Sequence, residues 1–150
     1  MIYLLRHGDA EPGDGDGDGD DADRDLTGKG ERQARDAGRA LAAIGASVDV
    51  CLTSPRVRAE RTARIACEEL GAVEVEVTEK LSGGPFDALE LAAGRGDVLL
   101  VGHEPDLSAA VAELTSARVR MRKGGIACVR DGVLQALLRP KDLRAVAARE

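Results

Sequence analysis

The chain is nearly devoid of aromatic side chains: its 150 residues include no Trp, and Tyr3 and Phe86 stand alone. Stacking platforms for nucleic acid need several rings, so nucleic acid is not an expected partner. Cysteine is scarce as well. Cys51, Cys67 and Cys128 are odd in number and form no CxxC pair, which suits neither a disulfide framework nor a structural zinc site. They read as small buried hydrophobes in a reducing compartment. No apolar run approaches the roughly 20 residues of a membrane span. The N-terminal MIYLLRHGDAE has neither the basic region nor the full apolar stretch of a secretion signal. A cytoplasmic protein without a membrane partner is expected. The length fits a single domain, 1–150, that buries roughly 70% of its unfolded surface and needs no disulfides.

Acidity is plentiful but local. Residues 14–25 (DGDGDGDDADRD) hold seven Asp and one Arg, which accounts for the entire net charge of −6 and leaves the rest of the chain neutral. Alternating Gly and Asp have low helix and strand propensity and repel one another, so residues 9–25 read as a solvated loop without regular structure.

Around that loop the pattern alternates. Ile2–Arg6 reads as a buried first strand, and Gly28–Ile44 as an amphipathic helix capped by Thr27 and stopped by Gly45. Val48–Thr53 is a second strand. Ser54-Pro55 opens a helix to Leu70, with proline at its first position. Val73–Val77 alternates like an edge strand, Phe86–Ala93 reads as a short helix, and Asp97–Val101 as a buried parallel strand. A helix over Pro105–Thr115 precedes strand-like Val119–Met121. Ile126–Val129 and Val133–Leu138 form a hairpin turned by Asp131-Gly132, and Lys141–Ala148 is a final helix. The expected fold is therefore α/β: a mainly parallel sheet flanked by helices on both faces, with a C-terminal β-hairpin.

Ligands of such sheets bind beyond the carboxyl ends of the strands. Those ends carry Arg6-His7-Gly8, Thr53-Ser54-Pro55 and Gly102-His103-Glu104, so the only two histidines each follow a buried strand and sit beside a glycine. Arg56, Arg58 and Arg61 begin the helix after Ser54-Pro55. Residues 58 and 61 share a helical face and 56 points elsewhere, so not all three enter one pocket. Imidazoles and guanidiniums gathered at strand ends and helix N-termini suit a tetrahedral dianion. A histidine can also attack phosphorus, splitting one difficult transfer into two. Neither a metal nor another cofactor is required.

These residues resemble the histidine phosphatase superfamily, of phosphoglycerate mutase-like fold. Arg6-His7-Gly8 looks like its RHG signature. It is followed in order by Leu26-Thr27-x-x-Gly30-x-x-Gln33-Ala34, Ser54-Pro55-x-x-Arg58-Ala59-x-x-Thr62-Ala63 and Val101-Gly102-His103. The resemblance implies His7 as nucleophile, Arg6 and Arg58 as phosphate clamps, His103 as a second imidazole on the phosphoryl group, and Gly8 beside the substrate. Arg56 precedes the motif arginine and is not carried over. Short length, Arg6-His7-Gly8-Asp9-Ala10-Glu11 and the lack of a helical cap insertion resemble the small SixA-type phosphohistidine phosphatases. Mutases typically have a Ser or Thr with a nearby Asn after RHG, where Ala10 and the acidic loop stand here. The superfamily's general acid has no clear counterpart; Glu79 and Asp87 are the candidates in the corresponding region. An imidazole leaving group needs such an acid less than an alkoxide does. The expected activity is a metal-independent phosphatase using a phosphohistidine intermediate, acting on protein phosphohistidine. Alternatives are a phosphatase of small phosphate esters and a non-catalytic phosphate-binding module. Lys123 reads as a strand-edge lysine within reach of the pocket rim. Oligomeric state is left open.

The acidic loop lies between RHG and the Leu26 motif, near the expected pocket mouth. Asp14-x-Asp16-x-Asp18-Gly19 also matches the first half of an EF-hand loop, but Asp25 stands where the closing Glu belongs and no helix precedes it. The bias of 17 Arg to 4 Lys fits a GC-rich genome or a salty cytoplasm equally well. At low salt the loop is expected to disfavour highly phosphorylated small substrates. Accordingly kcat/KM on a dianionic phosphate ester should rise with ionic strength, and rise less after deletion of 13–23; an unchanged salt response in the deletion contradicts the reading.

Overall fold

The computed structural model describes residues 1–12 and 20–149. Its centre is a six-stranded sheet in the order β3-β2-β4-β1-β5-β6. Strands β1 (Ile2–Arg6), β2 (Val50–Thr53), β3 (Val75–Val77) and β4 (Val98–Gly102) are parallel where they pair, and β5 (Ile126–Arg130) and β6 (Val133–Leu138) add an antiparallel hairpin at one side. The continuous apolar runs lie where burial on both faces demands them: every residue of β2 and β4 is buried. The outermost strand β6 alternates exposed and half-buried instead.

Alternation sorts the core into two layers. Tyr3, Leu5, Leu99 and Val101 face helices α2 (Gly28–Ala43), α3 (Val57–Glu69) and α6 (Pro140–Ala147), while Leu4 and Leu100 face α5 (Asp106–Thr115) and the short α4 (Ala88–Ala92). Each fully buried Leu contributes about 1.5–3 kcal/mol through removal from water. With so few rings to fill space, the helices approach the sheet and each other on small residues. The buried stripe of α2 is Gly30, Ala34, Ala37, Gly38, Ala40 and Leu41, and that of α3 includes Ala59, Ala63 and Ala66. Thr27 caps α2 as expected, its hydroxyl accepting the Gly30 N–H at 3.0 Å.

Several elements differ from the sequence reading. The helix after Ser54-Pro55 starts at Val57, because Ser54 Oγ accepts the Arg56 N–H at 3.2 Å and Arg56 itself is the extended cap residue. Val119–Met121 is not a strand. The Met121 N–H donates to Glu104 Oε2 (3.2 Å) and its carbonyl accepts from Arg6 Nη1 (3.0 Å), so side chains satisfy backbone groups that a ladder would have used. Within the acidic segment, Asp20–Asp23 forms a single helical turn, α1, and Glu79–Leu81 is a short 3-10 turn. The segment's base is tied: Ala10 bridges Leu26, and the Glu11 N–H donates to the Asp25 carbonyl at 2.8 Å. The EF-hand-like stretch from Asp14 to Gly19 lies outside the described residues. The hairpin turn has positive φ at both Asp131 (51°) and Gly132 (75°), the conformation a tight two-residue turn requires. No helix among the described residues is long and apolar enough to cross a membrane.

The α2–α3 contact offers a direct check. A Cβ on Gly38 would stand 2.4 Å from the Ala66 carbonyl oxygen and 2.8 Å from Glu69 Cβ. Gly38→Ala is therefore expected to destabilise by about 2 kcal/mol in urea unfolding, overpacking outweighing the roughly 1 kcal/mol that Ala gains over Gly in a helix. A stabilised variant would contradict the packing.

Candidate active site

Strand register assembles the site. Arg6 pairs with Gly102 across β1 and β4, so the residues that follow, His7 and His103, leave the sheet level with one another; Thr53 pairs with Val101, which sets Ser54 beside them. The two imidazole centroids are 5.2 Å apart with their planes inclined at 54°. Both rings are buried, at 6% and 9% exposure.

His7 Nδ1 lies 2.7 Å from the Gly8 carbonyl oxygen. A carbonyl only accepts, so Nδ1 carries the proton and Nε2 carries a lone pair. Gly8 is held in turn: its N–H donates to Thr62 Oγ1 (3.1 Å), and the Thr62 hydroxyl donates to the Arg58 carbonyl (2.7 Å). A side chain at Gly8 would reach 2.6 Å from the Gly30 carbonyl oxygen, which accounts for glycine there. Thus Leu26–Ala34 and Ser54–Ala63 both bear on the orientation of His7. Thr62 and Gly30 stand in the sequence motifs without an assigned role; their contacts supply one.

On the other ring, His103 Nε2 is 2.8 Å from Ser54 Oγ, while buried Nδ1 has no partner among the described residues. Arg6 is similar. Its Nη1 donates to the Met121 carbonyl and its buried Nε has no partner among the described residues. The buried Arg6 Nε–H is a donor with no acceptor among the described residues, which suits an anionic ligand. Burial lowers the Arg6 pKa and Glu104 opposes the shift. Glu104 is itself fixed by the Ser108 N–H (2.8 Å) and the Ser108 hydroxyl.

Arg58, 7% exposed, donates through Nη1 to the Asp21 carbonyl (2.6 Å) and through Nη2 to Asp21 Oδ2 (3.3 Å). Arg56 also donates to Asp21 Oδ2, and its Nε to the Ser82 carbonyl at 2.6 Å. The helical-face expectation for these arginines is corrected here: 56 and 58 meet on one carboxylate, because Arg56 precedes the helix and does not follow its periodicity. Arg61 turns away to Asp25 (2.7 Å) and Glu31 (3.1 Å). Burial works to raise the Asp21 pKa, but Arg24, Arg58 and Arg56 outweigh it and the net shift is down. Sequence reading placed the acidic segment near the pocket mouth without singling out Asp21; it is this carboxylate that stands on Arg58.

The candidate general acids are not brought to the histidine pair by any hydrogen bond among the described residues. Asp87 is exposed and caps α4, accepting the Glu90 N–H at 3.1 Å, and Glu79 is exposed on the 3-10 turn. Lys123 pairs with Asp9 at 3.5 Å.

Comparison with known proteins gives the family and the fold. The model of the histidine phosphatase superfamily (branch 1) matches residues 2–91, more than half of the chain, and the chain belongs to that superfamily. A 2,3-bisphosphoglycerate-dependent phosphoglycerate mutase of Parvibaculum lavamentivorans is 39% identical over 79 residues, 53% of this chain and 38% of that protein. The chain thus spans about two-fifths of the length of that curated relative. Among solved structures, the protein histidine phosphatase SixA complexed with tungstate superposes with a TM-score of 0.77 at 24% identity, covering 95% of this chain and 98% of the other. A SixA phosphohistidine phosphatase candidate from Agrobacterium tumefaciens gives 0.78 at 23% identity over 93% and 97%. These superpositions show the same mixed α/β fold.

Burial pushes the His7 pKa down to about 4, with Arg58, Arg6 and Lys123 acting in the same sense and the Gly8 carbonyl opposing. It pushes His103 to about 3, helped by His7, Arg58 and Arg56 and opposed by Asp21. Both rings are neutral at pH 7. Between pH 6.5 and about 3 the unfolded chain binds more protons at these sites than the folded one, so their linkage makes stability fall as pH drops, His7 levelling off below about 4 and His103 below about 3. Proton NMR can follow the two histidines individually: both should titrate near or below 4. A ring titrating near 6.5 contradicts its burial in neutral form.

Proposed function

We propose that the protein is a metal-independent phosphatase acting through phospho-His7 on protein phosphohistidine. The observation that carries the covalent step is the His7 Nδ1 contact with the Gly8 carbonyl, which leaves Nε2 as the free base. Arg6, Arg58 and His103 hold the equatorial phosphoryl oxygens, and Gly8 lies beside them. Nε2 attacks phosphorus as the substrate P–N bond breaks, and the leaving imidazole nitrogen takes up a proton from solvent water. Water then attacks phospho-His7, the Nε2–P bond breaks, phosphate departs with the water oxygen, one proton returns to solvent, and His7 is again neutral with its proton on Nδ1. Guanidinium charge on the transferring group is the main electrostatic aid. To dock there, the phosphoryl group displaces Asp21 from Arg58.

The choice of substrate is supported by two features. The SixA structures match from end to end, whereas the mutase match covers under half of that enzyme. Glu79 and Asp87 are exposed, which suits a leaving group that needs little help from an enzyme acid. Identity to the mutases favours small phosphate esters as the second reading. Three buried free thiols fit the reducing cytoplasm as its compartment.

A phosphohistidine peptide and p-nitrophenyl phosphate, each given to wild type and to His7→Ala, test the proposal. Wild type should turn over the peptide faster, and the substitution should reduce turnover by about a thousandfold or more. Faster ester turnover favours the second reading, turnover of neither marks a phosphate-binding module, and activity unaffected by the substitution refutes the mechanism.

A further inference from the structure

A groove of about 1110 Å³ shares Arg6 with the site. It runs between α2, the segment 120–123 and α6, and is lined by ten Lys and Arg against three acids, Asp9, Asp36 and Glu104. The chain outside residues 14–25 is neutral overall, yet its positive charge gathers here. Elsewhere the cations are mostly ion-paired, as in Arg61 with Asp25 and Glu31, Arg64 with Glu60, Arg95 with Glu76 and Arg139 with Asp142. In the groove Arg32, Arg35, Arg120, Arg122, Lys141 and Arg144 have no acidic partner within 4.0 Å among the described residues. Glu104 is already occupied by Ser108 and Met121, and Asp9 by Lys123 and Thr27.

We infer that this groove docks an acidic polypeptide segment flanking the phosphorylated residue of the substrate protein. The inference rests on the phosphatase reading only for that residue, which enters at the Arg6 end. A small phosphate ester engages Arg6 and leaves the cations of α2 and α6 unused, whereas a ligand filling the groove is larger than an ordinary small-molecule pocket accommodates. Single-stranded nucleic acid is the poorer fit, because no aromatic side chain lines the groove to stack a base. The arginines after Ser54-Pro55 sharpen the choice. Arg56 and Arg58 are already met by Asp21, and Arg61 by Asp25 and Glu31, so they offer an acidic chain less free positive charge than the groove does.

The test uses labelled peptides with a central histidine flanked by glutamates or, in a twin, by glutamines, and compares wild type with the triple variant Arg32→Glu, Lys141→Glu, Arg144→Glu. Fluorescence anisotropy on the unphosphorylated peptides should show wild type preferring the glutamate peptide by about tenfold, a preference that shrinks with added salt and is lost in the variant. With the peptides phosphorylated, the variant should lose about tenfold in kcat/KM on the glutamate peptide through KM. Its turnover of p-nitrophenyl phosphate should stay unchanged, which shows that it is folded. Equal binding of the two peptides, or a preference surviving charge reversal, overturns the inference. So does tighter capture of a single-stranded oligonucleotide of equal charge. If wild type turns over neither phosphopeptide, the phosphohistidine reading fails while the anisotropy result still decides the groove.

Discussion

The site depends on one constraint, the parallel register of β1, β4 and β2. Because Arg6 lies opposite Gly102 and Thr53 opposite Val101, the chain leaves three neighbouring strands at one level, and His7, His103 and Ser54 meet there. A slip of one residue along β4 would reverse which face its side chains present and carry His103 away from His7. What prevents the slip is burial on both faces: Leu4 and Leu100 are fully enclosed on one side, Leu5, Leu99 and Val101 on the other. The apolar core thus sets the geometry of the histidine pair as well as stability.

Burial has a second consequence at the strand ends. Taking two imidazoles out of water beside arginines disfavours their charged forms, while guanidinium stays protonated even where burial lowers its pKa. The result is a pocket with fixed positive charge and neutral bases. That separation suits a nucleophile that must keep its lone pair next to a bound dianion. Asp21 satisfies Arg58 in the structure, so in the proposed mechanism a phosphoryl group replaces an internal carboxylate on that guanidinium. Exchange of one anion for another keeps the buried guanidinium solvated throughout.

Much of this was legible in the sequence because it depends on local signals. Apolar runs marked the strands, Thr27 marked its helix cap, Asp131-Gly132 marked the hairpin, and histidines directly after two apolar runs marked the strand ends. Long-range choices were not legible. Val119–Met121 has strand composition, but its backbone groups bond to Glu104 and Arg6, residues distant in the chain. Arg56 and Arg58 look divergent on a helical wheel, and converge because Ser54 delays the helix start. The turn at Asp20–Asp23 runs against the low helix propensity of its aspartates; Asp21 within it contacts Arg24, Arg56 and Arg58, partners no local rule supplies. In each case tertiary hydrogen bonds or ion pairs outweighed a weak local preference.

Net charge shows the same difference between inventory and arrangement. A total of −6 suggests a protein that repels phosphate, yet the surplus lies in residues 14–25 and the remainder is neutral only as a sum. In space that neutral remainder is segregated, with ion-paired flanks and a groove where ten cations face three acids. Fields at this scale act within roughly 10 Å at moderate ionic strength, so a ligand at the histidine pair responds to the groove and to Asp21 separately and not to their total. An acidic polypeptide can therefore approach a protein whose overall charge has the same sign as its own, provided it comes along the side of α2 and α6.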